Sequence, residues 1–469
     1  MSILSTIKGW FSMLLKSRAK DEFNVVPITS AEVEWLIEYC ARAYRGQPDW
    51  EDHENHIKTV NFSKSICSET ARLTTLGISV HVDGGARGKW LQEQVDSFYF
   101  QLRECVEYGM AYGTVVLKPN GDTVKLYLPG QFEVTSKTGG KIDGMVFHNS
   151  AADEANGKYY TRLEYHRFED GLYVITNKCY VGASQNSCTE QIDIKLTPWA
   201  DLREESRILN VDRPLFGVLK TPHANNLDAD SPLSLPIFSD ALEELRDLDV
   251  AYSRNAKEIE DSKRTVLLDS DTLMPSGQRL STAAGAIDAK KKAIGLPDYI
   301  KHVQGRGDTS LYHEINPTLN TDARLTGINA LLSQIGYKIG FSNGYFVFNE
   351  TTGIQTATGV EAEQQRTIQF IKDCRDKLES CLDDLIYAMS KIADLYGLAP
   401  VGAYEVIYDF GDITYNRDED RARWWNYVQA GKVPAWMFFT KFEGMPEAEA
   451  KAMVQEAQPK TPTLFGGEE

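Results

Sequence analysis

The longest helical pattern in the sequence constrains the fold most. From Thr358 to Tyr396, apolar residues recur every seven positions, and Glu361 completes a capping box at the start. The apolar rows are Ile371, Leu378, Leu385 and Ile392, then Cys374, Cys381 and Ala388, then Leu382, Met389 and Tyr396. Such a helix is about 60 Å long. We expect its apolar rows to exceed what one monomer can bury, so that it packs against a coiled-coil neighbour or a subunit interface.

A polar loop precedes this helix. Residues 341–357, FSNGYFVFNETTGIQTA, follow Gly340 and contain two further glycines among aromatic, β-branched and Asn residues, a composition that does not continue a helix. Loops of this length are uncommon in compact domains and are usually functional or disordered.

The first half of the chain predicts helices followed by an antiparallel sheet. Helical spacing is clear after Ser30, less regular from Ile57 onward, and clear again over 91–113. The period changes to two over residues 114–222, beginning with a hairpin around Asn120-Gly121. The Pro- and Asn-rich segment up to residue 238 reads as a covered linker. The fold class is therefore α+β.

Two helices then enclose a small insert. Ser239–Lys263 has Ser239 as its expected cap and a net charge of −4 over 240–263. Its apolar stripe is Leu242, Leu245, Leu248, Tyr252, Ala256 and Ile259. The insert, 264–320, carries strand patterns at RTVLLD and YIKHVQG, and the second helix is Thr321–Gly340.

The two ends of the chain have different signatures. Three helices are expected after residue 398: one ending at Gly431, one starting near Pro434 and one with Pro446 in its first turn. We expect 458–469 to be a disordered tail. Residues 1–29 form an amphipathic N-terminal arm that docks on a partner or neighbouring subunit, or a helix packed on its own domain. We expect no signal peptide and no membrane span.

Charge and cysteine content exclude several classes of protein. A net charge of −17 without a large basic stripe argues against a sequence-reading DNA binder. The seven cysteines contain no CxxC pair, which favours free thiols in a reducing compartment over a disulfide framework.

Catalytic and cofactor motifs are weak, so we expect no enzyme and no cofactor. GGARGKW over 84–90 is one residue short of a phosphate-binding loop and reads as a polar turn. His53 and His56 lack a third zinc ligand and read as polar residues at a helix start. Asp269 with Asp271, and the acids 418–420, lack the further carboxylates of a two-metal site. Ser342 in GFSNG follows a helix, whereas a nucleophile elbow follows a strand.

The order of these elements resembles portal proteins of tailed bacteriophages or prophages, of the type found in siphophages of Gram-positive hosts. The stretches that carry the resemblance span residues 50–440: NHIKTVNFSKSICSETARLTTLGISVHVDG, YGMAYGTVVLKPNGD, PLSLPIFSDALEELRDLDVAYSRNAKEIEDSKRTVLLD, ETTGIQTATGVEAEQQRTIQFIKDCRDKLESCLDDLI and ARWWNYVQAGKVPAWMFF. Their order and spacing, rather than any one motif, make the likeness.

The resemblance implies a ring, usually of twelve subunits, at one capsid vertex, with double-stranded DNA passing through its centre without sequence specificity. Its parts would be the wing body 30–238, stem helix 239–263, clip 264–320, second stem helix 321–340, tunnel loop 341–357, long wing helix 358–397, and C-terminal wing or crown helices 398–457. Implied partners are the terminase large subunit, a head-tail adaptor, and the major capsid and scaffolding proteins. The location would be the virion, after assembly in the host bacterial cytoplasm.

The resemblance also implies three sets of functional residues. The tunnel-loop residues would be Asn343, Tyr345, Phe346, Asn349, Glu350, Thr351 and Thr352. Channel-facing stem residues would be Asp240, Glu244, Asp247, Glu258, Asp261 and Lys338, with the acids keeping DNA phosphates from binding the wall. Clip residues for acidic partner surfaces would be Lys290, Lys291, Lys292 and Arg306.

Two alternatives stay open at this point. One is a different virion or tail structural protein, which a β-rich C-terminus would favour. The other is a metal-dependent DNA-processing enzyme using Asp269 and Asp271.

The tunnel loop has no basic residue, which argues against loop lysines that contact successive phosphates.

Overall fold

The computed structural model describes residues 20–121, 123–153, 157–183, 189–262, 265–269, 300–303, 312–315, 319–347, 357–411, 417–430, 432–443 and 445–456. The chain divides into two compact units. One comprises residues 1–75 and 80–408, and the other 76–79 and 409–469.

The chain begins with helices around one short strand. These elements are α1 (Ala31–Tyr44), α2 (Phe62–Thr74), β1 (Ser79–Asp83) and α3 (Gly85–Tyr112). Two expectations were wrong here. Residues 85–90 are the first turns of α3 rather than a polar turn, and α2 starts at Phe62 rather than near Ile57. Gly84, at φ +131°, lets the chain turn from strand to helix against the backbone of Ala403 and Tyr404.

The antiparallel β region is as the two-residue period predicted. Its strands are β2 (Thr114–Asn120), β3 (Thr123–Tyr127), β4 (Phe132–Thr138), β5 (Lys141–Asp153), β6 (Lys158–Glu169), β7 (Leu172–Gly182), β8 (Glu190–Ile192), β9 (Glu205–Ile208) and β10 (Gly217–Lys220). One sheet has the order β10-β2-β3, and the larger has β4-β5-β6-β7-β8 with β9 also paired to β7. The predicted hairpin is the β2–β3 pair, with Asn120 opposite Thr123.

A charged cluster lies buried inside this β region. The Glu164 carboxylate accepts two hydrogen bonds from Lys118 Nζ at 2.9 and 2.8 Å and one from Arg162 at 3.0 Å. His166 Nε2 lies 3.0 Å from the same carboxylate, and Asn149 Nδ2 donates to it at 3.2 Å. Burial alone would raise the Glu164 pKa, but Lys118 and Arg162 hold it well below its usual range. We call these five residues the Glu164 cluster.

The two-helix segment follows a linker that is mostly covered. Ser239–Ala241 forms a 3₁₀ turn, so α4 runs from Leu242 to Asp261 and Ser239 is not its cap. The insert contributes β11 (Thr265–Asp269), β12 (Ile300–Val303) and β13 (Tyr312–Ile315), and α5 (Thr321–Ile339) follows. β11 pairs in parallel with β12 and antiparallel with β13. The sequence patterns located the first two strands and missed β13.

The long helix α6 runs from Ala357 to Tyr396, one residue longer at its start than expected. Most residues of its apolar rows are buried by the chain itself, which corrects the expectation that the rows exceed what one monomer can bury. Ile371, Cys374, Leu378, Cys381 and Ala388 are all fully buried. α6 packs against β10, β2, α2 and α3. Within residues 364–396, whose burial is described, the last turn leaves large apolar groups in solvent, at Leu395 and Tyr396.

Residues 20–28 pack on the β region of their own chain. The Ile28 N–H donates to Val134 O at 3.0 Å, and Lys178 Nζ lies 3.2 Å from a Glu22 carboxylate oxygen. Phe23 and Val25 contact a buried cluster that includes Val146 and Leu163. This part of the expected arm therefore follows the second reading, a segment packed on its own domain; residues 1–19 and 458–469 lie outside the described ranges.

In its described residues, the smaller unit contains three short helices, α7 (Arg417–Gln429), α8 (Ala435–Glu443) and α9 (Glu447–Glu456). Their ends agree with the predicted glycine and proline signals. Trp425 packs on Phe438 at 5.0 Å between ring centres, and Arg421 pairs with Glu443 at 2.7 Å. The expectation of helices alone after residue 398 missed β14 (Glu405–Asp409), which pairs with β1.

Candidate functional site

The helix pair α4–α5, with the loop after α5, is the candidate functional site. Two interhelical ion pairs fix the relative position of the helices. Lys338 Nζ lies 2.6 Å from Glu244 Oε1, and Arg324 pairs with Glu258. Because Glu244 precedes Glu258 while Lys338 follows Arg324, the helices are antiparallel. Leu245 and Leu248 on α4, and Ile328, Leu332 and Ile335 on α5, are buried.

A second set of contacts holds α4 to the body of its unit. The Asp249 carboxylate is buried and accepts hydrogen bonds from Trp50 Nε1 at 2.8 Å and from Val60 N–H at 2.9 Å. Ser253 Oγ accepts the Lys58 N–H at 2.9 Å and donates to Lys58 O at 3.2 Å. The loop between α1 and α2 thus holds the middle of α4 through Asp249 and Ser253.

The stem residues expected to face a channel fall into two groups. Glu244, Glu258 and Lys338 are engaged between the two helices, so the structure does not leave these charges free to line a wall. Asp240, Asp247 and Asp261 are exposed. Among the acids of this set these three are the exposed ones, and the channel-facing role of all six residues stays a prediction.

The loop after α5 is described up to Val347, and its aromatic residues pack inward. Phe341 is fully buried, and Phe346 stacks edge-on against Phe62 of α2 at 5.2 Å between ring centres. The Tyr345 hydroxyl donates to a Glu69 carboxylate oxygen, and burial raises the Tyr345 pKa above its usual value. Tyr345 and Phe346 therefore anchor the loop on α2 within the single chain, and their assignment as tunnel-loop residues stays a prediction.

Within the described part of this loop, Asn343 is the exposed member of the predicted set. Asn349, Glu350, Thr351 and Thr352 lie outside the described residues, as do Lys290, Lys291, Lys292 and Arg306 of the insert.

The transition from α5 into the loop depends on a glycine. Gly340 has φ +121°, and a Cβ there would lie 2.8 Å from the Phe370 ring of α6. Next to it, the Ser342 N–H donates to Thr367 Oγ1 at 2.8 Å, and the Thr367 hydroxyl donates to Ser342 Oγ at 3.0 Å. The buried Ser342 thus joins the helix exit to α6, in agreement with the expected glycine-flanked exit and not with a strand-to-helix elbow.

The weaker chemical motifs find few partners in the described residues. His53 and His56 lie in an exposed turn closed by the Asp52–Ile57 bridge, not at a helix start as expected. Within the described ranges no group of three or more His, Cys, Asp or Glu side chains is placed to hold a metal ion. The six described cysteines are free and buried, as the spacing predicted.

Sequence reasoning missed two of the residues that shape this site. Asp249 follows Leu248 directly and is the one acid of α4 that is buried, a position that would have been recognised from a helical wheel with the stripe drawn wider. Glu69, which binds Tyr345, carried no sequence signal because its partner is far away in the chain.

Comparisons with known proteins give structural neighbours only. No family model matches the chain, and no curated protein matches it. One similar structure is a chain of the virion of a native gene transfer agent particle, at 10% identity and TM-score 0.43, covering 92% of this chain and 95% of that one. Another belongs to the neck of an empty gene transfer agent particle, at 12% identity and TM-score 0.41, covering 87% of this chain and 94% of that one.

Among the described helices, none is long and apolar enough to cross a membrane.

Proposed function

We propose that this chain is a portal-type subunit, which assembles into a ring at one capsid vertex and lets double-stranded DNA pass during packaging and ejection. The observation that carries the proposal is the order α4, an insert whose described residues form three strands, α5, anchored loop and α6. This order matches the stem, clip, stem, tunnel loop and wing helix of the family that the sequence resembles. The observed ends of α4, α5 and α6 lie within three residues of the ends predicted for the two flanking helices and the long helix.

The described geometry suits a passive conduit. α4 and α5 form a narrow antiparallel layer held by ion pairs and by a short apolar core. Asp240, Asp247 and Asp261 leave negative charge on the surface of this layer. In a ring such charge would repel phosphates and keep DNA from adhering to the wall. Asn343 and the loop residues 349–352 would stand nearest to the DNA.

The proposed role involves no catalysis by this chain. The packaging energy would come from the terminase large subunit, bound through the insert, whose basic Lys290, Lys291, Lys292 and Arg306 suit an acidic partner surface. A head-tail adaptor would use the same end of the ring after packaging. The major capsid and scaffolding proteins would contact the wing.

Electron microscopy of the purified chain, with native mass determined on the same sample, tests the proposal. We expect rings of about twelve copies with a channel wide enough for duplex DNA. A monodisperse monomer or dimer that persists at high protein concentration and at varied salt would contradict it. A DNA-stimulated, Mg²⁺-dependent nuclease activity that is lost in Asp269→Ala would contradict the conduit role directly.

A further inference from the structure

The free half of the α4–α5 layer exposes an apolar face. Tyr252 and Ile259 of α4 are 49% and 52% exposed, although they continue the stripe of the buried Leu245 and Leu248. At the same end of the layer Ile315 and Leu319 are 39% and 42% exposed. Over the two turns from Tyr252 to Ile259, the residues of this face are Tyr252, Asn255, Ala256 and Ile259, and none is charged. An uncharged face on so acidic a helix indicates a surface that meets protein.

The exposed face of α5 between residues 323 and 330 carries small, uncharged residues. On α5, exposed residues lie opposite the buried Ile328, Leu332 and Ile335. They are Ala323, Thr326, Gly327 and Ala330. A Cβ added at Gly327 would meet nothing within 4 Å. The bulky side and the small-residue side therefore lie on opposite sides of one layer, because Tyr252 and Ile259 continue the core-facing stripe while Ala323 and Ala330 point away from the core.

The ion pairs set the height of these residues along the layer. Glu244 is level with Lys338, and Glu258 is level with Arg324, so 14 residues of α4 span the same length as 14 residues of α5. Counting between these pairs puts Tyr252 level with Ala330 and Ile259 level with Ala323. Each bulky exposed side chain of α4 thus has a small exposed residue of α5 at its own height, on the other side of the layer.

A rotation about an axis along the layer leaves heights unchanged. In a ring with that axis, the bulky side of one copy meets the small side of the next, and Tyr252 faces Ala330 of its neighbour. Such a head-to-tail contact uses two different surfaces of the same chain and closes into a ring when the rotation allows. Small residues let helices approach closely, so that the large side chains can insert between them.

We propose that the occupant of the Tyr252/Ile259 face is the Ala323/Ala330 face of a second copy of this chain. The proposal rests on the proposed ring and names the surface through which neighbouring helix pairs contact each other. It places the exposed acids Asp240, Asp247 and Asp261 outside the contact, where they stay accessible.

Cysteine cross-linking tests the contact in the assembled full-length chain. The variant carries Tyr252→Cys and Ala330→Cys, and its matched control carries Asp247→Cys and Ala330→Cys, since Asp247 is exposed on α4 but lies off the apolar face. A disulfide forms only where Cα atoms come within about 7 Å. The parent chain, whose six described cysteines are buried, gives the background.

The expected result after mild oxidation is a ladder of covalent oligomers up to the ring size in the first variant, and no ladder in the control or parent. Rings visible by electron microscopy but without a ladder would overturn this contact and leave the proposed function standing. Absence of rings in the parent chain would instead contradict the proposed function. Cross-linking that stops at a dimer would indicate a two-fold contact and would also overturn the inference.

A second pair of variants tests the same contact without cysteines. Ala330→Trp fills the small side and should abolish rings, while Ala330→Ser should retain them. Circular dichroism and the thermal midpoint of the isolated subunit should be alike in both, because Ala330 is exposed within one chain. Rings that form normally with Ala330→Trp would contradict the proposal.

Discussion

The β region and the α4–α5 layer both carry many charged residues, but the β region encloses a charged cluster while the layer leaves its ion pairs partly exposed. The Glu164 cluster is enclosed, and its carboxylate accepts hydrogen bonds from four different side chains. In the layer, the Glu244 and Glu258 side chains are 13% and 22% exposed, and their cationic partners about a third. At the same time the layer leaves Tyr252 and Ile259 half in solvent.

The difference distinguishes the region that stabilises the single chain from the surface that can contact other copies or partners. A buried charge is tolerated only when its partners surround it, so the Glu164 cluster fixes one arrangement of strands. A partly exposed ion pair contributes less to stability but sets the register of two helices. The β region therefore satisfies its buried charges within one chain, whereas the helix layer holds exposed side chains in fixed positions.

The largest expected effect comes from breaking the Glu164 cluster. Glu164→Gln removes the negative charge and leaves Lys118 and Arg162 buried without a counter-charge. We expect the free energy of unfolding in urea to fall by about 3–5 kcal/mol. The matched change Glu244→Gln in the helix layer should cost at most about 1 kcal/mol. Equal losses in the two variants would remove the distinction between the regions.

Alanine substitutions at two glycines, one inside α5 and one at its C-terminal end, should change the free energy of unfolding in opposite directions. Gly340→Ala forces φ +121° on a residue with a Cβ and brings that atom against Phe370, so we expect a loss of about 1–3 kcal/mol in unfolding free energy. Gly327→Ala meets open space inside a helix and should gain about 0.5–1 kcal/mol in the unassembled subunit. Thermal unfolding of both variants checks the pair; a stabilised Gly340→Ala would contradict the observed backbone at that position.

The pH dependence of stability should be traceable to the β region. Burial lowers the pKa of His166, so the imidazole stays neutral in the folded chain while the unfolded chain binds a proton below about pH 6.5. Stability is therefore complete above that pH and falls as pH decreases toward the folded pKa. Urea titrations at pH 7.5 and 5.5 should show a smaller decrease in His166→Gln than in the parent.

His223 serves as the comparison for this titration. Its pKa is also lowered by burial, so it contributes with the same sign and should be left in place in both chains. The exposed His81 provides the control: His81→Gln should keep the full decrease between the two pH values. An unchanged pH dependence in His166→Gln would show that the cluster does not carry it.

The smallest expected effect belongs to the ion pair near the free end of the layer. Glu258→Gln removes the partner of Arg324 at a partly exposed site, and we expect a loss below about 1 kcal/mol. That loss should shrink further at 1 M salt, where the Debye length is about 3 Å. A loss that does not depend on salt would mean that Glu258 acts through packing rather than through charge.

Much of the element order could be read from the sequence, because apolar spacing and turn residues are local signals. The β2–β3 hairpin, α5 and α6 were predicted nearly to the residue. The start of α3 was missed, because Gly85 and Gly88 are poor helix formers. Glycine is required there by tertiary contacts, since Gly84 lies against the 403–404 backbone and Gly88 against the backbone of Asp83. β13 and β14 were missed because short strands gain their stability from partners distant in the chain.

The candidate site was less predictable than the fold. Charge patterning identified α4 as an acidic helix, but it could not separate exposed Asp247 from buried Asp249, two residues away. The family resemblance implied a tunnel-loop role for Tyr345 and Phe346. The structure packs them on Glu69 and Phe62, since an aromatic ring gains more from burial than a polar loop residue does.

The sequence by itself determined the order of most helices and strands, the absence of CxxC pairs, and the acidic character of α4, since each depends on residues close together in the chain. Only the tertiary structure decided that α6 is largely buried by its own chain and that Glu244 and Glu258 form ion pairs with α5. It alone left Tyr252 and Ile259 exposed. Burial and ion pairing depend on which distant segments meet, and a one-dimensional pattern of apolar and charged residues does not contain that information.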